Sequence, residues 1–220
     1  MARRARLPSG GVFYHALNRG YRHGRIFHDR RDYGCFLRVL HEVATRLGMS
    51  VQAFCLLPNH FHLLLFPALD KDLSRFMHLL TTKQVAWHNA RHGTAGYVWQ
   101  GRFRSFAVQT DRYLLAAAAY VERNALTAGL VSRAEDWAWG SAHVHATGRR
   151  PQWLLPPLEP VERWLTRLNE RQSDAEVAAL RHCVRRSLPF GAASWRTAIS
   201  ASLGLPPQPP KLGRPKRRRP

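Results

Sequence analysis

The stretch Leu56-Leu57-Pro58-Asn59-His60-Phe61-His62-Leu63-Leu64-Leu65-Phe66 constrains the fold more than any other part of the chain. It is apolar apart from a Pro-Asn pair and two histidines one residue apart. Proline fixes its own φ and asparagine bonds its own backbone, so the pair reads as a turn. The flanking residues then read as a hairpin of two strands, Ser50 to Leu57 and Asn59 to Phe66, closed at Pro67. The period of two on a strand puts His60 and His62 on one face about 7 Å apart, and turns Phe61 the other way, into a core. Two neutral imidazoles side by side can share a divalent cation. The same spacing also serves ordinary polar positions on an amphipathic strand.

The rest of the chain supplies partners for this hairpin. Gly11 to Asn18 is β-rich and ends at the turn signal Asn18-Arg19-Gly20, which predicts a first strand. From Asp32, Tyr33, Phe36, Leu37, Leu40, Val43, Ala44 and Leu47 follow three-and-four spacing, with Gly48 as terminator, and predict an amphipathic helix. Asp70 to Arg91 repeats that spacing through Leu73, Phe76, Met77, Leu80 and Trp87, with Lys83 and Gln84 placed on the outer face. Tyr97 to Gln109 reads as a strand pair or one bent strand. Thr110-Asp111 can cap a further helix through Leu114, Leu115, Ala118 and Val121 that stops by Gly129. The order is strand, helix, strand, strand, helix, strand, helix. It predicts an α+β, ferredoxin-like βαββαβ antiparallel sheet with an additional C-terminal helix, over residues 1–150.

After Gly148, prolines 151, 156, 157 and 160 mark a linker-like stretch. Helical patterns follow at Glu159 to Asn169, Asp174 to Ser187 and Ser194 to Leu203, giving a small helical accessory region at 151–205. Residues 206–220 are rich in proline and carry Arg214, Lys216, Arg217, Arg218 and Arg219, the composition of a disordered basic tail.

Charge names the class of partner. Lys and Arg number 34 against 14 Asp and Glu, a formal net charge of +20, which makes a polyanion the default partner. The loop Arg19-Gly20-Tyr21-Arg22-His23-Gly24-Arg25 mixes glycine, arginine and an aromatic, as a segment that wraps phosphate does. It equally reads as a solvated loop. Cys35, Cys55 and Cys183 lie far apart, against both a disulfide framework and a cysteine zinc site. No apolar h-region follows the basic start and no run is long enough for a bilayer, so a soluble, cytoplasmic, nucleoid-associated protein is expected.

On the helix after Asp111, Tyr120 and Asn124 are four residues apart and share a face about 5–6 Å from each other. In a ferredoxin-like arrangement this helix can lie across the sheet near the His60/His62 strand. Two imidazoles and an amide oxygen could then hold one hard cation beside a phenol, a constellation suited to attack on a phosphodiester. The bland alternative makes Tyr120 a core-edge aromatic and Asn124 a polar residue on an exposed face.

Four blocks in order, Asn18-Arg19-Gly20, Leu57-Pro58-Asn59-His60-Phe61-His62-Leu63-Leu64, Trp99-Gln100-Gly101-Arg102-Phe103 and Tyr120-Val121-Glu122-Arg123-Asn124, resemble the REP-associated tyrosine transposases, relatives of the single-tyrosine HUH (His-hydrophobic-His) transposases of IS200-like type. Ala128-Gly129-Leu130-Val131 and Trp137-Ala138-Trp139-Gly140-Ser141 extend the resemblance. It implies an HUH-type catalytic domain at 1–150 with Tyr120 as nucleophile and with His60, His62 and Asn124 as ligands of Mg²⁺ or Mn²⁺. It implies cleavage and rejoining of single-stranded hairpin DNA through a 5′-phosphotyrosine, by a monomer or a homodimer. Arg19, Arg22, Arg25, Arg102 and Arg104, with the tail residues Arg214, Lys216, Arg217, Arg218 and Arg219, are the candidate DNA contacts, assigned from charge and position. Two blocks depart from the family pattern. Asn124-Ala125-Leu126-Thr127-Ala128-Gly129 stands where Asn-Pro-Val-Arg-Ala-Gly is usual, and Trp139-Gly140-Ser141 where Trp-Ser-Ser is usual. Neither removes a catalytic group. The competing readings are a transposase-derived DNA-binding protein with little or no catalysis, and an RNA-binding sheet, which leaves the histidine pair and Tyr120 without a role.

Overall fold

The computed structural model describes residues 10–205. Four strands, β1 (Phe13–Arg19), β2 (Ser50–Leu57), β3 (His60–Phe66) and β4 (Arg104–Val108), form one sheet in the order β2-β3-β1-β4. Every neighbouring pair is antiparallel. Helices α1 (Arg30–Leu47) and α2 (Asp72–His92) make the two crossovers, so the architecture is the α+β ferredoxin-like βαββαβ arrangement expected. Helix α3 (Arg112–Glu122) follows β4 as the additional helix, and Asn124–Thr127 adds one further turn, α4.

The alternation of β3 divides the core in two. Phe61, Leu63 and Leu65 face α1 and α2 and join Tyr14, Ala16, Phe36, Leu40, Phe76 and Leu80. Leu64, with Ala53, Cys55, Phe106 and Val108, faces the opposite layer and meets Leu114, Ala117, Ala118 and Val121 of α3. Helices α5 (Ser141–Thr147), α6 (Val161–Asn169), α7 (Asp174–Arg186) and α8 (Ala193–Ser202) complete the described chain. Trp164, Leu168, Leu180 and Cys183 of α6 and α7 bury themselves in the α3 layer. Phe190 bridges to Val108 at the free edge of β4, covering backbone that would otherwise be an open template.

Local chemistry explains where the elements begin and end. Asp29 caps α1 by accepting from the N–H groups of Arg31 and Asp32, and Asp32 returns a bond to the Asp29 N–H, a complete capping box. Gly48, at φ +61°, ends α1 in the left-handed region, as its position in the sequence predicts.

Two expectations need correction. Tyr97 to Gln109 is neither a strand pair nor one bent strand. Trp99 makes an isolated bridge to Gly20 and Gln100 N–H donates to Arg19, after which Gly101 and Arg102 leave the sheet and pairing resumes only at Arg104. Gln84 does not lie on the outer face of α2. The buried stripe runs Leu73, Phe76, Met77, Leu80, Gln84, His88, so Gln84 is enclosed while Trp87 is half-buried at the side. The buried stripe turns polar after Leu80, but the helix and the stripe's geometry continue.

Candidate active site

The hairpin register places the two histidines. His60 pairs with Arg19 and Leu57, and His62 with Leu17 and Cys55, so both rings stand on the sheet face covered by α3. Their ring centroids are 5.1 Å apart. The turn fixes His60. Asn59 Nδ2 donates to the His23 carbonyl at 3.1 Å, which orients the amide so that its oxygen faces His60 Nδ1 at 2.6 Å. An amide oxygen only accepts, so Nδ1 carries the proton and Nε2 keeps its lone pair.

His62 is fixed by a residue whose role the sequence did not reveal. His15, fully buried on β1, brings Nε2 to within 2.8 Å of His62 Nδ1. When His62 Nδ1 donates to His15 Nε2, His62 presents the lone pair of its own Nε2. The contact fixes the orientation of the ring, as outer partners of histidine ligands do. His15 appeared only as a strand residue, because no motif spacing links residues 47 positions apart; the β1–β3 register brings them together. Burial depresses all three imidazoles. His15 is lowered to about 3, His60 to about 4 by burial and then Arg19, and His62 well below its ordinary value by burial and then its His15, His60 and Arg19 neighbours. All three are neutral at physiological pH, the form in which imidazole binds a cation.

Tyr120, on α3, stands over this pair, with its ring centroid 6.0 Å from both His62 and His15. Burial raises its phenol above the ordinary tyrosine value, opposed by the charge and hydrogen bond of Arg181 and by Arg19. Arg181 belongs to α7, so a side chain from 151–205 acts on the tyrosine itself. Sequence patterning read α7 as one more amphipathic helix and gave no signal for it. Asn124, one turn beyond Tyr120, donates Nδ2 to the Tyr120 carbonyl at 2.7 Å, which leaves its oxygen as the donor atom it can present.

A buried polar network holds the tyrosine's helix in place. Glu122 accepts from Ser141 Oγ at 2.6 Å and from Trp164 Nε1 at 2.7 Å. Ser141 Oγ also accepts from the Phe54 N–H at 2.9 Å. Sheet, α3, α5 and α6 are thus joined through one carboxylate. Arg123 adds a clasp by donating to the carbonyls of Leu168 and Glu170 at the end of α6, where a cation complements the helix dipole.

The candidate arginines distribute unevenly. Arg19 lies on the histidine face beside His60. Arg25 lines a hollow of about 400 Å³ with His23, Pro58, His60, Ala128 and Leu130, within the size range that small ligands fill. Gly20 shapes this loop, since a Cβ there would collide with the Gly24 carbonyl. Arg22 is exposed and lies over the Tyr21 ring, Arg102 is exposed, and Arg104 donates to the Arg185 carbonyl at 2.9 Å. Arg214, Lys216, Arg217, Arg218 and Arg219 lie outside the described residues. No helix among the described residues is long and apolar enough to cross a membrane.

Residues 11–124, just over half of the chain, match the sequence model of a family described as transposase, IS200-like. No match is found among curated proteins. Among solved structures, a REP-associated tyrosine transposase bound to a REP hairpin is similar with a TM-score of 0.55 at 20% identity, covering 72% of this chain and 93% of that one. At that identity the likeness is one of fold. A candidate transposase from Deinococcus radiodurans R1 is matched at a TM-score of 0.35 and 17% identity, covering 52% of this chain and 91% of that one.

Proposed function

Because the chain belongs to the IS200-like transposase family, we propose that it cuts and rejoins single-stranded DNA at hairpins, with Tyr120 as the nucleophile. The observation that carries this reading is the Tyr120 ring standing 6.0 Å from His62, whose ring His15 holds in place. In the reaction a bond forms between Tyr120 Oη and phosphorus while the bond from phosphorus to the 3′-oxygen breaks. The phenol proton is balanced by protonation of the departing oxygen through solvent, leaving a 5′-phosphotyrosine and a free 3′-OH. The phosphodiester energy is kept in the adduct, so the reverse attack by a 3′-OH rejoins strands without ATP.

His60 and His62 through Nε2, with the Asn124 amide oxygen, are the residues that would hold Mg²⁺ or Mn²⁺. Such a cation would polarise the phosphate and stabilise the charge that develops on it. The chain's own groups do the remaining work. Arg181 and Arg19 favour the phenolate against the desolvation that opposes it. Arg25 lines the His60 hollow, Arg19 stands beside His60 at the end of β1 and Arg22 lies on the loop between them, a set suited to phosphates. Arg102 and Arg104 extend the basic surface, with the tail residues as a further sequence-independent contribution. The hairpin in the similar solved structure makes repeat hairpins the substrate to try first.

The test is transfer of end-labelled hairpin DNA to the protein on a denaturing gel, with Mg²⁺, Mn²⁺ or chelator. A metal-dependent adduct that disappears in Tyr120→Phe, while hairpin binding persists, is expected. Tight binding with no adduct on repeats flanking the gene would replace this reading with that of a transposase-derived DNA-binding protein.

A further inference from the structure

We infer that His28, His88 and His92 form a second metal site, on the opposite side of the sheet from the histidine pair, that takes a zinc-like transition-metal ion and clips the segment leading into α1 to α2. The three residues each offer a ring nitrogen, and those nitrogens lie within 4.8 Å of one another. Their ring centroids are 4.6 Å (His88–His92), 4.8 Å (His28–His92) and 6.1 Å (His28–His88) apart. His88 and His92 are one helical turn apart on α2, the spacing that sets two imidazoles on one face.

His88 is the reason to look for a ligand. It is only 8% exposed, and neither ring nitrogen has a hydrogen-bond partner. Asn89, its neighbour on the helix, accepts the Thr94 hydroxyl at its oxygen and gives one N–H to the Gly96 carbonyl, so a single amide N–H is all it can offer the ring. An imidazole enclosed in this way loses hydration at both nitrogens, and a ligand would supply the missing bond.

His92 is already oriented as a ligand is. Its Nε2 lies 3.0 Å from the Asp32 carboxylate. That side chain is fully buried, and it also accepts the His28 N–H at 2.7 Å and stands 3.3 Å from Arg91 Nε. Nε2–H donating to a carboxylate leaves Nδ1 to bind metal, the carboxylate–histidine arrangement of zinc centres. Three imidazoles select zinc, cobalt, nickel or copper over magnesium, which prefers oxygen. Nitrogens around a zinc at about 2.0–2.1 Å lie roughly 3.4 Å apart, and the exposed His28 is free to swing inward. A fourth position stays open to water.

The clip would have a consequence for the loop beside His60. His28 follows Ile26 and Phe27, whose N–H groups both bond the Pro58 carbonyl in the hairpin turn. A metal on His28 would anchor that loop from behind to the last turn of α2.

The test is titration of the full chain with Co²⁺ and competition by Zn²⁺. It uses wild type, His28→Ala, His88→Ala, and the double variant His60→Ala/His62→Ala. His28 is exposed, so its removal leaves the core intact. The double variant is expected to lose DNA strand transfer yet keep one equivalent of Co²⁺ with the intense visible bands of a four-coordinate site, displaced by Zn²⁺. His28→Ala and His88→Ala are each expected to lose that equivalent or bind it at least ~10-fold more weakly. A double variant that binds no Co²⁺, or a His28→Ala protein with wild-type stoichiometry and spectrum, would overturn the site. Strand-transfer activity plays no part in either readout, so failure here is distinct from failure of Tyr120 as nucleophile.

Discussion

Replacing Glu122 tests the network that holds the tyrosine's helix, and its two hydrogen-bond partners, Ser141 and Trp164, make the outcome specific to the substituent. In Glu122→Gln the amide oxygen can take the Trp164 N–H, while the new NH₂ faces Ser141 Oγ. That hydroxyl can accept, because its own proton has a second acceptor in the Phe54 carbonyl at 3.2 Å. Ser141 and Trp164 both stay paired, and the cost is about 1 kcal/mol or less. In Glu122→Leu the Ser141 hydroxyl makes the same escape to Phe54. Trp164 does not, because an indole N–H cannot rotate its proton elsewhere and the ring is only 1% exposed. The orphaned donor costs about 1–3 kcal/mol and the lost bonds add to it, for about 3 kcal/mol. At roughly 2–4 °C per kcal/mol for a chain of this size, Tm should fall by about 6–12 °C. Adding Trp164→Phe to the leucine variant should cost less than Trp164→Phe alone costs the wild type, since the donor it removes is already unpaired. Thermal unfolding followed by circular dichroism reads the wild type and all four variants. Equal Tm values for the Gln and Leu variants, or strict additivity in the double variant, would refute the hydrogen-bond reasoning.

Three further outcomes follow from the site. Arg181 holds the Tyr120 phenol down against burial, so Arg181→Ala should raise its pKa further and move the alkaline rise of the adduct rate to higher pH, with Arg181→Lys in between; an unmoved profile would separate Arg181 from the tyrosine. His15→Phe should free the His62 ring, and the metal concentration that half-saturates adduct formation should rise about 10–100-fold; the same metal dependence would show that His15 only fills space. Deleting residues 206–220 removes six Lys and Arg, and the slope of log affinity for single-stranded DNA against log salt should flatten by up to about 4; an unchanged slope would mean that the tail does not touch phosphate.

Much of this was legible in the sequence because it is local. Strand parity alone put His60 and His62 on one face and Phe61 on the other. Three-and-four spacing with glycine terminators located α1 and α2, and the order of elements was enough for the ferredoxin-like sheet. Tyr120 and Asn124 were visible through motif and helical spacing. Periodicity failed where the buried stripe turned polar, at Gln84 and His88, because pattern reading assigns polar side chains to water.

What only the tertiary structure decided depends on contacts between distant residues. Sheet order set His15 against His62 and so fixed the ring of a candidate ligand. The packing of α7 brought Arg181 to the Tyr120 hydroxyl, and α5 and α6 delivered Ser141 and Trp164 to Glu122. The approach of the α1 start to the α2 end gathered His28, His88 and His92. A sequence carries the periodicity of each element on its face. It does not show which face of one element meets which face of another, since that is settled by burial of the whole core at once.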